Sequence, residues 1–283
     1  MYQKFELSQP VEGKVEIVEM PDGTQIHTIL SGKGKTTVLL AHGYSYDHTA
    51  WSVVIQQLHQ ANYQTIIFDQ RGHGQSTIGK NGISSASMAS DYKHLIEHFQ
   101  LEKCILVGHS MGGFLSMKFL IEHPEFYHQK VKSCVLVATF AGDINRKNFQ
   151  NRLQIPLVRL RILSKLMRWE ALKKQFAKSL LGTNPDPEIV RAVPEVIAQQ
   201  KHIPLIPILK AFIQENYYKQ LHQIQIPCAV LIGEKDATTP PFHSTMIAKH
   251  IPNTTKITVQ EKGHCLNFEA PEEVVRAIQL MDI

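Results

Sequence analysis

The apolar run Cys104-Ile105-Leu106-Val107 leads directly into Gly108-His109-Ser110-Met111-Gly112-Gly113, and helical periodicity follows over 114–123 before Pro124. Strand, sharp turn and helix in that order leave few folds open. A serine at the turn stands above a sheet edge, and glycines two positions before and after it let the strand and helix backbones pass without collision. The following helix points its amino terminus at the serine, bringing free N–H groups and a positive partial charge to where an anion would form. The alternative is a glycine-rich strand-to-helix turn that only relieves packing.

The rest of the chain repeats this alternation. Residues 14–20 and 24–30 alternate in polarity around Pro21-Asp22-Gly23 and read as an antiparallel hairpin. Apolar runs then recur at 37–41, 65–68, 104–107, 131–138, 229–232 and 256–259, with helical patterns at 51–60, 87–99, 112–123, 244–250 and 271–281. This predicts an α/β fold with a mostly parallel central sheet and helices on both faces. The pattern breaks between 138 and 229, where helix-like stretches are interrupted by Pro185, Pro187, Pro194, Pro204 and Pro207. Proline lacks a donor and clashes with the preceding turn, so these residues are expected to divide a helical cap into short helices. The expected organisation is a core of residues 1–140 and 223–283 with a cap inserted over 141–222.

The chain has 283 residues, 43% hydrophobic and 19% charged, enough for a sizeable core and unlike disordered or disulfide-stapled chains. A net charge of +5 is too mild to indicate nucleic acid as a partner. Cys104, Cys134, Cys228 and Cys265 form no C-x-x-C pair, and three lie in apolar runs, which points to a reducing, cytoplasmic location. Residues 1–13 include Lys4, Glu6 and Glu12 and lack the apolar region of a secretory signal, and no apolar run reaches membrane-spanning length.

Beside the Gly108–Gly112 turn stand His42-Gly43 after the third strand, Asp69-Gln70-Arg71-Gly72-His73-Gly74-Gln75-Ser76 after the fourth, Gly233-Glu234-Lys235-Asp236, and Gly263-His264 before the last helix. In these motifs and their order nearly the whole chain resembles the α/β-hydrolase superfamily, especially lid-bearing serine esterases and monoacylglycerol-lipase-like enzymes. Serine at 110 departs from the relatives that use an aspartate nucleophile, the haloalkane dehalogenases and epoxide hydrolases.

A serine hydroxyl needs a general base near neutral pKa, held by a carboxylate that fixes its tautomer. His264, on a glycine-flanked loop after the last strand, suits the base, against the alternative of an idle loop histidine in a chain with 15 of them. Asp236, just past the strand 229–232, emerges at the same carboxyl edge and is the expected partner. An ordinary turn aspartate remains the alternative there, and relatives that carry the acid after the sixth strand would nominate Asp143. By the same resemblance the backbone N–H groups of Tyr44 and Met111 form the oxyanion hole. His42-Gly43-Tyr44 is the short form of that loop.

The resemblance implies ester hydrolysis through an acyl-enzyme on Ser110, with a small-molecule acyl substrate and no cofactor or metal. A cap rich in aliphatic and poor in acidic residues favours an apolar acyl group. C–C bond hydrolysis, lactone opening, thioester hydrolysis and acyl transfer are alternatives on the same scaffold, and a ligand receptor that retains the triad is the alternative from another class.

Three further features carry less chemistry. His94-Leu95-Ile96-Glu97-His98 matches H-x-x-E-H literally, but its helix is expected beside the sheet with no third zinc ligand. Gly72 and Gly74 are followed by no phosphate-binding lysine, and Asp69 with Arg71 is expected to form a structural polar network. Between Asp143 and Gly182 the charges are Arg146, Lys147, Arg152, Arg159, Arg161, Lys165, Arg168, Lys173, Lys174 and Lys178 against Asp143 and Glu170. Leu160, Leu163, Met167 and Ala171 recur at helical spacing there, widened by Ile162, Leu166, Trp169, Leu172 and Phe176. The plain reading is a cap helix with one wet face. Peripheral contact with an anionic membrane surface, at its cytoplasmic side, is the second expectation.

Overall fold

A computed structural model describes residues 11–145, 150–159 and 169–282, with the side chains of 150–154 outside the description. The strands are β1 Lys14–Glu19, β2 Gln25–Gly32, β3 Thr37–Ala41, β4 Gln64–Phe68, β5 Cys104–His109, β6 Val131–Val137, β7 Cys228–Gly233 and β8 Thr254–Val259. They form one sheet in the order β1-β2-β4-β3-β5-β6-β7-β8. The hairpin β1–β2 and the pair β2–β4 are antiparallel, and every pairing from β4 to β8 is parallel.

Between the strands lie α1 Ser52–Gln60, α2 Ser85–His98, α3 Met111–Glu122, α4 Pro124–Lys130, α5 Gln150–Arg159, α6 Glu170–Leu180, α7 Pro187–Ala198, α8 Ile206–Gln214, α9 Phe242–His250, the single turn α10 Leu266–Glu269, and α11 Pro271–Leu280. The sheet splits the core by strand alternation. Leu39, Leu106, Leu136 and Val230 face the layer of α2 and α3, while Leu40, Val107, Val135 and Leu231 face α1 and α11. Both faces are therefore covered, as near-continuous apolar strands require. All four cysteines are buried and unpaired.

Pro124 opens α4 at a first-turn position, where a missing N–H costs nothing. One expectation about proline needs correction: Pro194 does not divide the insertion, since it lies inside α7. The bond lost there is outweighed by the buried stripe Ile189, Val190, Val193 and Ile197, which packs on Ala177 and Leu181, on Tyr46 and Cys265 of the sheet's loops and on Phe268 of α10. Pro187 and Pro207 do stand at helix starts as expected. The two chain segments flanking the insertion are paired, Tyr217 N–H donating to Ala141 C=O at 2.6 Å beside a bridge between Gly142 and Asn216.

The loop after β4 holds two polar networks where one was expected. Arg71, buried, donates to Asp91 at 2.8 and 3.0 Å and to Asp22 at 2.5 Å, tying the first hairpin turn to α2. Asp69 instead accepts from His48 N–H at 2.7 Å, His48 Nδ1 at 2.8 Å and Gln75 N–H at 2.9 Å. Positive φ at Gly72 and Gly74 makes this tight loop, and an added Cβ on Gly74 would lie 2.3 Å from Asp69 Oδ2.

Candidate active site

Ser110 closes β5 and precedes α3 with φ 51° and ψ −113°, a conformation that costs a non-glycine residue on the order of 1–3 kcal/mol. The surroundings enforce it. Ser110 N–H donates to Val137 C=O at 2.9 Å, and Thr139 Oγ donates to Ser110 C=O at 2.6 Å. A Cβ on Gly108 would stand 2.5 Å from the Gly112 carbonyl carbon, and one on Gly112 would stand 2.2 Å from Ala41 O. Both glycines are thus required by close backbone approach.

The loops after β7 and β8 bring Asp236 and His264 to the same edge. Ser110 Oγ lies 3.0 Å from His264 Nε2, and His264 Nδ1 lies 2.9 Å from Asp236 Oδ2. All three residues are buried. An ionised carboxylate only accepts, so Nδ1 carries the imidazole proton and Nε2 presents its lone pair to the serine hydroxyl. Asp236 is itself held: Oδ1 accepts the N–H groups of Thr238 and Thr239, both at 2.8 Å, and Oδ2 accepts Thr239 Oγ at 2.7 Å. Asp143 is exposed, in a left-handed conformation, and His264 pairs with Asp236 instead.

Tyr44 follows β3 and Met111 opens α3. Among the described residues neither backbone N–H donates to a protein acceptor. The Met111 amide is free because the first N–H groups of a helix have no partner within it. The Tyr44 loop is fixed by His42, whose Nδ1–H donates to Gly43 C=O at 2.8 Å while Nε2 accepts Gln70 N–H at 2.9 Å. Burial pushes the His42 pKa down, which keeps the neutral ring that this pattern needs.

Two neighbours were not singled out from sequence. His109, fully buried with its pKa pushed down to about 3 by burial and by His264, is neutral, and its Nε2–H donates to the His264 carbonyl at 3.0 Å. Glu269, at the end of α10, accepts N–H from Gly182 at 2.7 Å and from Gly263 at 3.0 Å. His109 sits in one of the two unrestricted positions of its motif, and a buried carboxylate such as Glu269 has no periodic signature.

His94 and His98 form no metal set with a third ligand among the described residues. His94 lies 3.6 Å from Glu97, and His98 pairs with Glu16. His27, His48 and Asp69 do place three ligand atoms within 4.8 Å of one another. The oxygens of Asp69 already accept protein donors. Burial works against its charge, but the His27 and His48 imidazoles outweigh it and hold the carboxyl well below the usual range. The bonds from His48 to Asp69 pin the loop after β3 to that after β4, and His27 Nδ1 stands 3.4 Å from Asp69 Oδ2.

In the insertion, Trp169 is 70% exposed and Leu172 41% exposed, while Phe176 and Leu180 are partly buried against the cluster that holds the apolar stripe of α7. Of the basic, apolar stretch expected there, Arg146, Lys147, Leu160, Arg161, Ile162, Leu163, Lys165, Leu166, Met167 and Arg168 lie outside the described residues. Among the described residues no helix is long and apolar enough to cross a membrane.

Comparison with known proteins agrees with this architecture. The chain is 21% identical over 249 residues to the karrikin insensitive 2 receptor CA of Petunia hybrida, covering 86% of this chain and 90% of the receptor. It is 26% identical over 251 residues to the pimeloyl-[acyl-carrier protein] methyl ester esterase of Chromobacterium violaceum, covering 87% and 94%. Among solved structures, an esterase from Exiguobacterium antarcticum superposes with a TM-score of 0.79 at 21% identity, over 96% of this chain and 100% of that one. A family model described as alpha/beta hydrolase fold matches residues 36–271. With that match spanning β3 to β8, the turn at Ser110 and the loops of Asp236 and His264, the chain belongs to the α/β-hydrolase family.

Proposed function

We propose that this α/β-hydrolase cleaves a carboxylic ester through an acyl-enzyme on Ser110. The continuous relay from Ser110 Oγ through His264 to Asp236 carries the reading. Ser110 Oγ attacks the acyl carbon while His264 Nε2 takes its proton. The resulting imidazolium, stabilised by Asp236, returns that proton to the leaving alkoxide oxygen as the C–O bond breaks. His264 then deprotonates a water that attacks the acyl carbon, and returns that proton to Ser110 Oγ as the bond from Oγ to the acyl carbon breaks and the acid is released. The N–H groups of Tyr44 and Met111 receive the developing oxyanion, worth about 3–4 kcal/mol per donor. The esterase activity named for the Chromobacterium relative supports the same reaction class.

Residues 141–222 act in this reading as the lid. Phe212 of α8 stands edge-on to Tyr44, ring centroids 6.2 Å apart, and to Phe114 and Phe140, which supports apolar surroundings for the acyl group. We expect turnover of p-nitrophenyl butyrate, and a higher kcat/KM for it than for the p-nitrophenyl monoester of succinate. Turnover of a lactone, thioester or dione with none of any ester would move the reaction to one of those bonds. Tight binding of a small ligand without turnover would instead favour a receptor, the activity named for the Petunia relative.

The exposed Trp169 and Leu172 beside exposed Lys174 and Lys178 on α6 favour a second, additional property: contact with an anionic lipid surface. Co-sedimentation with phosphatidylglycerol vesicles is expected to exceed that with phosphatidylcholine and to weaken with salt. Equal or absent binding to the two would remove the idea.

A further inference from the structure

The loop that carries His264 is held from two directions. On the sheet side, the His264 carbonyl accepts from His109, the neighbour of Ser110. On the other side, His264 N–H donates to Leu180 C=O at 2.7 Å, and Thr183 N–H donates to Glu261 C=O at 2.8 Å. Leu180 ends α6, so the backbone of the histidine is bonded directly to the helical insertion. The two segments touch along their backbones. A Cβ on Gly182 would lie 2.0 Å from Glu261 O, and one on Gly263 would lie 2.5 Å from the Leu181 carbonyl carbon.

Glu269 joins them. One oxygen of its buried carboxylate accepts Gly182 N–H, on the insertion, and the other accepts Gly263 N–H, on the histidine loop. Burying a carboxylate is costly unless its oxygens are hydrogen-bonded, and here each has a donor from a different segment. We propose that Glu269 is a positioning residue: it clamps the end of α6 to the loop of His264, so that displacement of the insertion at this point withdraws the base from Ser110. The structural clamp stands on these contacts, and its effect on catalysis rests on the role proposed above for His264.

Glu269→Gln tests this with little change of shape. Glutamine has one acceptor oxygen, so its NH2 must face one of the two N–H donors and that link is lost. We expect amide hydrogen exchange to rise together at 182–183 and 263–264, kcat per titrated site to fall about 10- to 100-fold, and KM to stay unchanged. A purely structural role would lower the thermal midpoint and leave kcat per active site intact. In the unmodified protein under low denaturant, the amides of Gly182, Thr183, Gly263 and His264 are expected to exchange through one opening, with one free energy and one denaturant slope. This arm decides the question if the variant does not fold. Separate openings, or loosening of only one segment in the variant, would overturn the clamp. Joint loosening with unchanged kcat would overturn its effect on the base. If the parent turns over no ester, the functional reading fails, while the exchange arm still decides the clamp.

Discussion

Replacing Ser110 by alanine is expected to lower ester turnover by at least about 10⁴-fold and to leave the fold in place. The remaining rate would come from substrate binding and the free N–H groups of Tyr44 and Met111, which do not depend on the hydroxyl. Stability should barely change, because alanine is forced into the same backbone conformation at φ 51° and loses only the contact with His264. Glycine at this position separates the two effects. It abolishes the same chemistry but adopts positive φ freely, so Ser110→Gly is expected to stabilise the protein by about 1 kcal/mol relative to alanine in chemical denaturation. Turnover of the alanine variant within a few-fold of the parent would remove Ser110 as nucleophile. A glycine variant less stable than alanine would contradict the account of strain.

Asp236→Asn is expected to lower kcat on the order of 10⁴-fold with the fold intact. The direction follows from the four donors around this carboxylate. Oδ1 accepts the N–H groups of Thr238 and Thr239, while Oδ2 faces Thr239 Oγ and His264 Nδ1. An asparagine must keep its single carbonyl oxygen toward the two backbone N–H groups, because its NH2 there would meet two donors. The NH2 then points at His264 Nδ1 and donates to it. The imidazole proton moves to Nε2, where it faces Ser110 Oγ and can no longer accept the hydroxyl proton. Asp143→Asn, on an exposed loop, is expected to leave kcat within a few-fold. A large loss at Asp143 with little at Asp236 would reverse the assignment.

Ser110, Asp236 and His264 stand at positions that are legible in the sequence for a physical reason. Short β-branched and aliphatic runs such as 104–107 and 229–232, alternating with helical patterns, suit buried parallel strands, and in a parallel sheet every strand has its carboxyl end at the same edge. Ser110, Asp236 and His264 each directly follow such a run or its glycine turn, so order along the chain predicts meeting in space. Tertiary balance is less readable. Pro194 looks like a helix breaker, and only the burial of its neighbours against Tyr46 and Phe268 keeps α7 continuous. Asp69 and Arg71 are neighbours in sequence, yet they serve separate networks because their side chains turn to opposite partners, His48 on one side and Asp22 with Asp91 on the other. Glu269 is the clearest case: its position gives no hint that two backbone amides from distant segments converge on it.

Reaction of the protein with a fluorophosphonate, followed by mass spectrometry of the digested chain, tests the central claim most directly. The account predicts about one equivalent of phosphonate per chain, carried on Ser110, and formed far more slowly in Asp236→Asn. An unmodified Ser110 in protein that turns over esters, or a label carried on a different residue at the same rate, would contradict it.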